Sequence, residues 1–107
     1  MSCILTADRL ESLLKEYGLP CSFSHFSEPT APPFIVWTSP QTDNFTADNS
    51  VYTVIPVLQI ELYSRLNVPQ EEAKLEKYLT EKGVLWDKVN QTWIDDEKVM
   101  MTVYDVL

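Results

Sequence analysis

The sequence predicts an α+β fold in which two helices pack on one face of a mainly antiparallel, four-stranded sheet. Three observations lead to this prediction. Two stretches carry apolar residues at helical spacing, several other runs are rich in β-branched and aromatic residues, and the last two of those runs flank a short acidic turn. The predicted order of elements is α-β-β-α-β-β, with a long polar loop between the first two strands.

The first helix is predicted to begin after Thr6, whose hydroxyl suits the N-cap position. Asp8 then lies near the positive end of the helix dipole, and Gly18 supplies a stop. The apolar residues recur with the spacing of one helical face: Leu10, Leu13, Leu14 and Tyr17. We expect this face to be buried against a sheet.

The segment 19–33 is rich in proline and serine, so little regular structure is expected there. Residues 34–37 are aromatic or β-branched and predict a short buried strand. The tract 38–50 is polar, contains no glycine, and carries the aromatic Phe45. Because ordinary connections between strands are only a few residues long, this tract predicts a projecting loop whose partner lies outside the monomer.

The second strand is predicted over residues 51–63, where alternate residues are apolar. They are Leu58, Ile60 and Leu62. Pro56 cannot donate a hydrogen bond to a neighbouring strand, so it indicates an edge position or a bulge. Residues 51–55 are expected to extend beyond the sheet together with the loop, and such edges are where other subunits add strands.

The second helix is predicted to begin at Pro69 and to end at Gly83. Its apolar stripe consists of Val68, Leu75, Tyr78 and Leu79. Its lysines, Lys74, Lys77 and Lys82, alternate with Glu76 and Glu81, which indicates a solvated face.

A β-hairpin is predicted to follow, with strands over 84–94 and 99–106 and a turn at Asp95, Asp96 and Glu97. Both faces of the last strand are apolar, so we expect one face to cover the core and part of the other to be covered as well. Met100 and Met101 are interpreted as core residues rather than as a recognition surface.

The 107 residues are expected to form a single domain, 1–107, and the net charge of −8 is distributed along the chain. This charge disfavours binding of DNA or RNA through phosphate neutralisation. Three interpretations of the charge remain open. The protein could present a surface past which DNA slides, it could mimic nucleic acid, or it could be an acidic domain whose charge has no electrostatic role. With no apolar run of membrane-spanning length and no basic leader, we expect a soluble protein without a secretion signal.

The sequence offers no pattern typical of catalysis, of cofactor binding or of a metal site. Both of its glycines are used at helix ends, so no phosphate-binding loop is expected. Cys3 and Cys21 are interpreted as thiols of a reducing compartment, and a nucleophilic pair of Cys21 with His25 is less favoured than an ordinary loop histidine. The neighbouring acids of the second helix and of the turn do not converge as an acid/base pair would. We therefore expect that the protein is not an enzyme.

Four collinear segments carry a resemblance to a known family. They read DNFTADNSVY (43–52), LQIELYS (58–64), PQEEAKLEKYL (69–79) and WIDDEKVMMTVYDV (93–106). This pattern resembles small proteins encoded in the head-tail modules of long-tailed phages and prophages of Gram-positive bacteria. Proteins of this kind are similar to tail terminators, also called tail-completion proteins.

The resemblance implies a structural protein that forms a ring, usually a hexamer, on the end of the tail tube. Its partners would be further copies of itself, the tail tube protein and the head connector or neck proteins, with no specific binding of nucleic acid and no membrane. It would be located in the virion, and in the cytoplasm of the bacterial host during assembly. The expected assembly interface lies in the polar loop and at the start of the next strand: Asp43, Asn44, Phe45, Asp48, Asn49, Val51 and Tyr52.

Two alternatives remain open at this point. One is a head-closure or minor capsid component bound to the connector, which would be a different position in the same particle. The other, from a different class, is an acidic inhibitor or DNA mimic. The three lysines of the second helix disfavour a mimic, because it would need a continuous carboxylate surface.

Overall fold

The computed structural model describes residues 5–47 and 51–107, and over residues 40–47 and 51–57 it describes the backbone alone. The elements are α1 (Ala7–Tyr17), β1 (Cys21–Phe23), β2 (Phe34–Ala47), β3 (Val51–Ser64), α2 (Val68–Glu81), β4 (Trp86–Ile94) and β5 (Val99–Val106). In this part of the chain, five strands form one sheet in the order β1-β2-β3-β5-β4. β1 runs parallel to β2, whereas the β2–β3, β3–β5 and β4–β5 pairs are antiparallel.

The predicted four-stranded, mainly antiparallel sheet with the order α-β-β-α-β-β is wrong, since the described sheet is five-stranded and mixed. The missed strand, β1, is only 3 residues long and lies in the proline-rich segment. Its position is fixed by β2: the Ile35 N–H donates to the Pro20 carbonyl at 2.9 Å, and the Ser24 N–H donates to the Trp37 carbonyl at 2.9 Å. A strand this short has no alternating pattern to detect. Its extended conformation depends on pairing with β2 in the tertiary structure.

The predicted loop over residues 38–50 is also wrong for most of its length. The backbone continues as strand from Phe34 to Ala47 and pairs with β3 as far as Ala47 opposite Val51. Residues 48–50 lie outside the described residues. The polar residues of this tract do not alternate with apolar ones, so the pattern that indicates a half-buried strand is missing from the sequence. The threonines of the tract, which have high β propensity, are compatible with this conformation.

Helix α1 confirms the predicted N-cap, apolar face and stop. The Thr6 hydroxyl accepts a hydrogen bond from the Arg9 N–H at 3.2 Å. Leu10, Leu13 and Leu14 are buried. Gly18 ends the helix with a φ of 105°, a left-handed conformation that glycine adopts without the steric cost of a Cβ.

Helix α2 has Pro69 in its first turn, as predicted, and Gly83 follows its end with a φ of 79°. Leu75 and Leu79 of the predicted stripe are fully buried. Glu72 is also buried, which the sequence did not lead us to expect. A carboxylate in this position needs polar partners on the sheet.

Strands β4 and β5 form the predicted hairpin, although β4 begins at Trp86 rather than at residue 84. The register shifts between Lys88 and Asn90, which marks a bulge at Val89. β4 pairs with β5 and forms an edge of the described sheet.

The core lies between the two helices and one face of the sheet. The fully buried residues at its centre include Leu10, Leu14, Ile35, Leu58, Ile60, Leu62, Leu75, Leu79 and Tyr104. The Tyr78 hydroxyl donates to the Leu13 carbonyl at 2.7 Å, and the rings of Tyr17 and Tyr78 lie 4.8 Å apart, so the helices also contact each other. On the opposite face of β5, Val99 and Val103 are buried too, as expected for a second covered face.

Candidate functional site

The outer part of the β2–β3 hairpin is paired on one side only. β1 pairs with β2 at residues Ile35, Val36 and Trp37, and β5 pairs with β3 from Leu58 to Ser64. After a register shift between Thr38 and Gln41, the two strands continue to pair with each other from Gln41 opposite Val57 to Ala47 opposite Val51. Among the described residues, each strand of this outer hairpin (41–47 with 51–57) therefore has one neighbour and one open edge.

The outer hairpin contains most of the predicted assembly residues. The register places Asp43 opposite Ile55, Asn44 opposite Val54 and Phe45 opposite Thr53. Tyr52 is opposite Thr46, and Val51 is opposite Ala47. Asp48 and Asn49 lie outside the described residues. The five predicted residues that the structure describes are thus brought together at one end of the hairpin, on paired strands rather than in a loop.

An open strand edge exposes backbone N–H and C=O groups that can pair with a strand of another chain. Pro56 lies in the outer hairpin, opposite Thr42, where β2 is the one described strand that pairs with β3. This agrees with the expectation that Pro56 marks an edge, because proline is tolerated where no N–H is needed for a neighbouring strand. Within the described part of the chain, the backbone groups along the two outer edges of this hairpin are thus not paired with another strand.

A second polar arrangement, the Glu72 cluster, lies between α2 and strands β4 and β5. It consists of Glu72, Glu76, Lys88, Gln91, Thr102 and Tyr104. The Lys88 ammonium is 3.0 Å from Glu72 Oε1 and 3.2 Å from Glu76 Oε2. The Gln91 amide and the Thr102 hydroxyl each donate to Glu72 Oε2 at 2.5 Å. The Tyr104 hydroxyl donates to Glu76 Oε2 at 2.8 Å.

The environment of Glu72 keeps its carboxyl ionised. Burial by itself raises the pKa, but the hydrogen bonds from Thr102, Lys88 and Gln91 outweigh it, and the pKa of Glu72 is lowered. A carboxylate with a lowered pKa and three donors is a weak general base at neutral pH. The Glu72 cluster therefore attaches α2 to the hairpin of β4 and β5, and it does not have the properties of an acid/base centre.

The sequence contains one indication of this cluster. Glu72 falls four residues after Val68 and three before Leu75, on the same helical face as the apolar stripe. A carboxylate within such a stripe predicts a buried partner. Its donors are distributed over β4 and β5, so only the tertiary structure identifies them.

The thiol of Cys21 and the ring of His25 do not form a recognisable nucleophilic pair. The His25 Nδ1 lies 3.4 Å from the Ser24 hydroxyl. Burial raises the pKa of the Cys21 thiol, which is opposite to the shift that an activated thiolate requires. Cys3 lies outside the described residues.

Within residues 5–47 and 51–107, no three His, Cys, Asp or Glu side chains are grouped so as to hold a metal ion. No helix in the described part of the chain is long and apolar enough to cross a membrane. Comparison with protein-family models, with curated proteins and with solved structures gives no match for this chain.

Proposed function

We propose that the protein is a structural, non-enzymatic component of the tail of a long-tailed phage, of the tail-terminator type. In this proposal, copies of the chain form a ring, most simply a hexamer, that caps the tail tube and contacts the head connector. The single observation that carries the proposal is the outer hairpin, whose open edges coincide with the sequence segment that most resembles this family.

The open edges support assembly through strand addition. A strand from another subunit or from the tube protein can extend the sheet by pairing with residues 41–47 or 51–57, and backbone hydrogen bonds would provide the affinity. The two open edges belong to different strands, so the β2 edge of one copy can pair with the β3 edge of the next, which is a contact between unlike surfaces. Contacts between unlike surfaces produce a ring when the rotation closes and a filament when it does not.

The charge of the chain is compatible with a ring through which DNA passes. The net charge of −8 per subunit repels phosphate, so DNA would move through the lumen without being bound. An acidic wall needs no base-specific contacts. This argument supports the proposal only in combination with the outer hairpin.

The experiment that tests the proposal measures mass by light scattering over a range of concentrations, followed by electron microscopy with tail tubes. We expect oligomers that form with increasing concentration and bind at tube ends. As a variant, residues 42–56 are replaced by Asn-Gly, which connects Gln41 to its register partner Val57 through a two-residue turn. This variant should remain a folded monomer and fail to cap tubes. A full-length protein that stays monomeric and leaves tube ends free would refute the proposal.

At the level of a single residue, we expect Phe45→Ala to impair assembly while leaving the thermal unfolding of the monomer unchanged. Phe45 lies at the register position of Thr53 within the outer hairpin. The matched control is Phe23→Ala, since Phe23 is 55% exposed and lies on β1, outside the outer hairpin. If Phe45→Ala abolished the thermal transition, Phe45 would belong to the core and the assembly role would be wrong.

A further inference from the structure

A groove of about 340 Å³ lies on the face of the sheet opposite the helices. Its floor contains Phe34, Val36 and Tyr63, and its walls are the segment 24–30 and the turn between β4 and β5. Phe34 and Val36 precede the outer hairpin in β2, so the groove is separate from the proposed assembly interface.

Three aromatic rings shape the groove. The rings of Phe34 and Tyr63 are stacked, with centroids 4.8 Å apart and planes at 18°. The edge-to-face contact of Phe26 with Phe34 has a centroid distance of 5.2 Å. All three side chains are only partly buried. Faces of such rings attract cations through the ring quadrupole.

Carboxylates surround these rings. Glu28 and Glu97 line the groove, and Glu61 accepts a hydrogen bond from the Tyr63 hydroxyl at 2.8 Å. Among the side chains that the structure describes, none of these three carboxylates has a Lys, Arg or His partner within ion-pair distance. Burial raises the pKa of Tyr63, and the hydrogen bond to Glu61 and the charges of Glu61 and Glu97 raise it further. The groove therefore presents carboxylates that no described cationic side chain pairs with.

The neighbouring cations have other partners. The Arg65 guanidinium donates to the carbonyl oxygens of Lys98 and Glu97 at 3.1 and 3.0 Å, so it stabilises the turn without pairing with the Glu97 carboxylate. The Lys98 ammonium is 3.0 Å from Asp95 Oδ1. The carboxylates of the groove remain available to a cation from outside.

We propose that this groove binds an arginine or lysine side chain on an exposed segment of a basic partner protein. The aromatic floor would contact the aliphatic part and the charged group, and the carboxylates would pair with the charge. A partner of opposite charge is favoured over a second copy, because each copy carries a net charge of −8. The proposal does not depend on ring formation.

The probe is the end-blocked pentapeptide Gly-Ser-Arg-Ser-Gly, titrated into the full chain and followed by NMR. Its control is the same peptide with citrulline, which keeps the shape of arginine and lacks its charge. We expect saturable shifts of the Phe26, Phe34 and Tyr63 resonances with the arginine peptide, and an affinity for the citrulline peptide that is lower by about three- to tenfold. Absence of saturable shifts at these rings, or equal binding of both peptides, would overturn the proposal.

Two double variants separate a local effect from the effect of total charge. Glu28→Gln with Glu97→Gln should lower the affinity for the arginine peptide by about three- to tenfold. Glu81→Gln with Asp87→Asn removes the same charge from exposed positions outside the groove lining and should change affinity by less than about twofold. An equal loss in both would contradict a specific site. If dilution of the peptide-free chain shifted the same ring resonances, the occupant would be a second copy and the proposal would be wrong.

Discussion

Leu75 and Leu66 give a direct measure of how burial contributes to stability in this protein. Leu75 is fully buried between α2 and the sheet, whereas Leu66 is 76% exposed. We expect Leu75→Ala to lower the free energy of unfolding by about 2–5 kcal/mol, because it removes buried apolar area and leaves a cavity. Leu66→Ala, the matched control, should change it by less than about 0.5 kcal/mol. Chemical denaturation of both variants provides the measurement, and equal effects would show that the buried face of α2 is assigned incorrectly.

Glu72 should give the stability of the fold a defined dependence on pH. Its pKa is lower in the folded protein than the ordinary value of 4.5, so the folded state favours the ionised carboxyl. The resulting stabilisation is present above about pH 4.5 and is lost as the pH falls through the lower, folded-state pKa. We expect the advantage of the wild type over Glu72→Gln to be largest near neutral pH and to disappear on acidification.

The measurement is the free energy of unfolding of both proteins at a series of pH values, with Glu81→Gln as the control. Glu81 is an exposed acid on the same helix. If the difference between the wild type and Glu72→Gln stayed constant as the pH fell below 4.5, the Glu72 cluster would not stabilise the ionised form.

At the scale of elements, Pro56 makes it possible to test strand addition without disrupting the hairpin. Backbone N–H groups at alternate positions of a strand point to the same side, so residue 54 shares the direction of Pro56. In the described structure, β2 is the strand that pairs with β3 at Pro56, and proline is tolerated there. We therefore infer that the backbone N of residues 54 and 56 faces the open edge of β3. Val54→Pro should therefore preserve the monomer and weaken its self-association.

The control for this prediction is Thr53→Pro, one residue away. Its N–H would point towards β2, opposite Phe45, so proline there should disrupt the hairpin itself. Circular dichroism and light scattering on both variants distinguish the two effects. Unchanged self-association of Val54→Pro would indicate that this edge is not used in assembly.

The elements predicted correctly from the sequence are those whose start, buried face and end are determined by residues close together in the chain. Helix α1 was predicted from its cap, its leucine spacing and Gly18, all of which act within a few residues. β1 and the continuation of β2 through residues 38–47 were missed. Both are strands because they pair with other segments, and their amino-acid composition alone does not indicate a strand. For the candidate site, the sequence identified the segment, and the register between β2 and β3 showed that it is a hairpin with open edges. The groove around Phe34 and Tyr63 combines three separate segments and had no local pattern.

At the scale of the whole molecule, the net charge should control the salt dependence of assembly. Copies that each carry −8 repel one another, and added salt screens this repulsion. We therefore expect self-association to strengthen when sodium chloride is raised from about 50 to about 500 mM. Sedimentation velocity at fixed protein concentration is the measurement. Weaker association at high salt would mean that ion pairs, rather than backbone pairing, hold the copies together.

The same increase in salt concentration also distinguishes the two proposed surfaces. Binding of the arginine peptide in the groove is an attraction between opposite charges, so it should weaken over the same increase in salt. Self-association through the outer hairpin and peptide binding in the groove are thus expected to respond to salt in opposite directions.

The two neighbours of β3 also have a consequence for the order in which the chain folds. In the described structure, one edge of β3 pairs with β5 from Leu58 to Ser64 and is open from 51 to 57. The two strands are distant in sequence: the side-chain hydrogen bond from Gln59 to Asp105 joins residues that are 46 positions apart. During synthesis on the ribosome, β2 and β3 can pair before β5 has been made, because their contacts are closer in sequence. The whole edge of β3 is then exposed on the nascent chain. A strand from another molecule that bound there early would compete with β5. In the proposed assembly, completing the monomer first would therefore prevent incorrect pairing between copies.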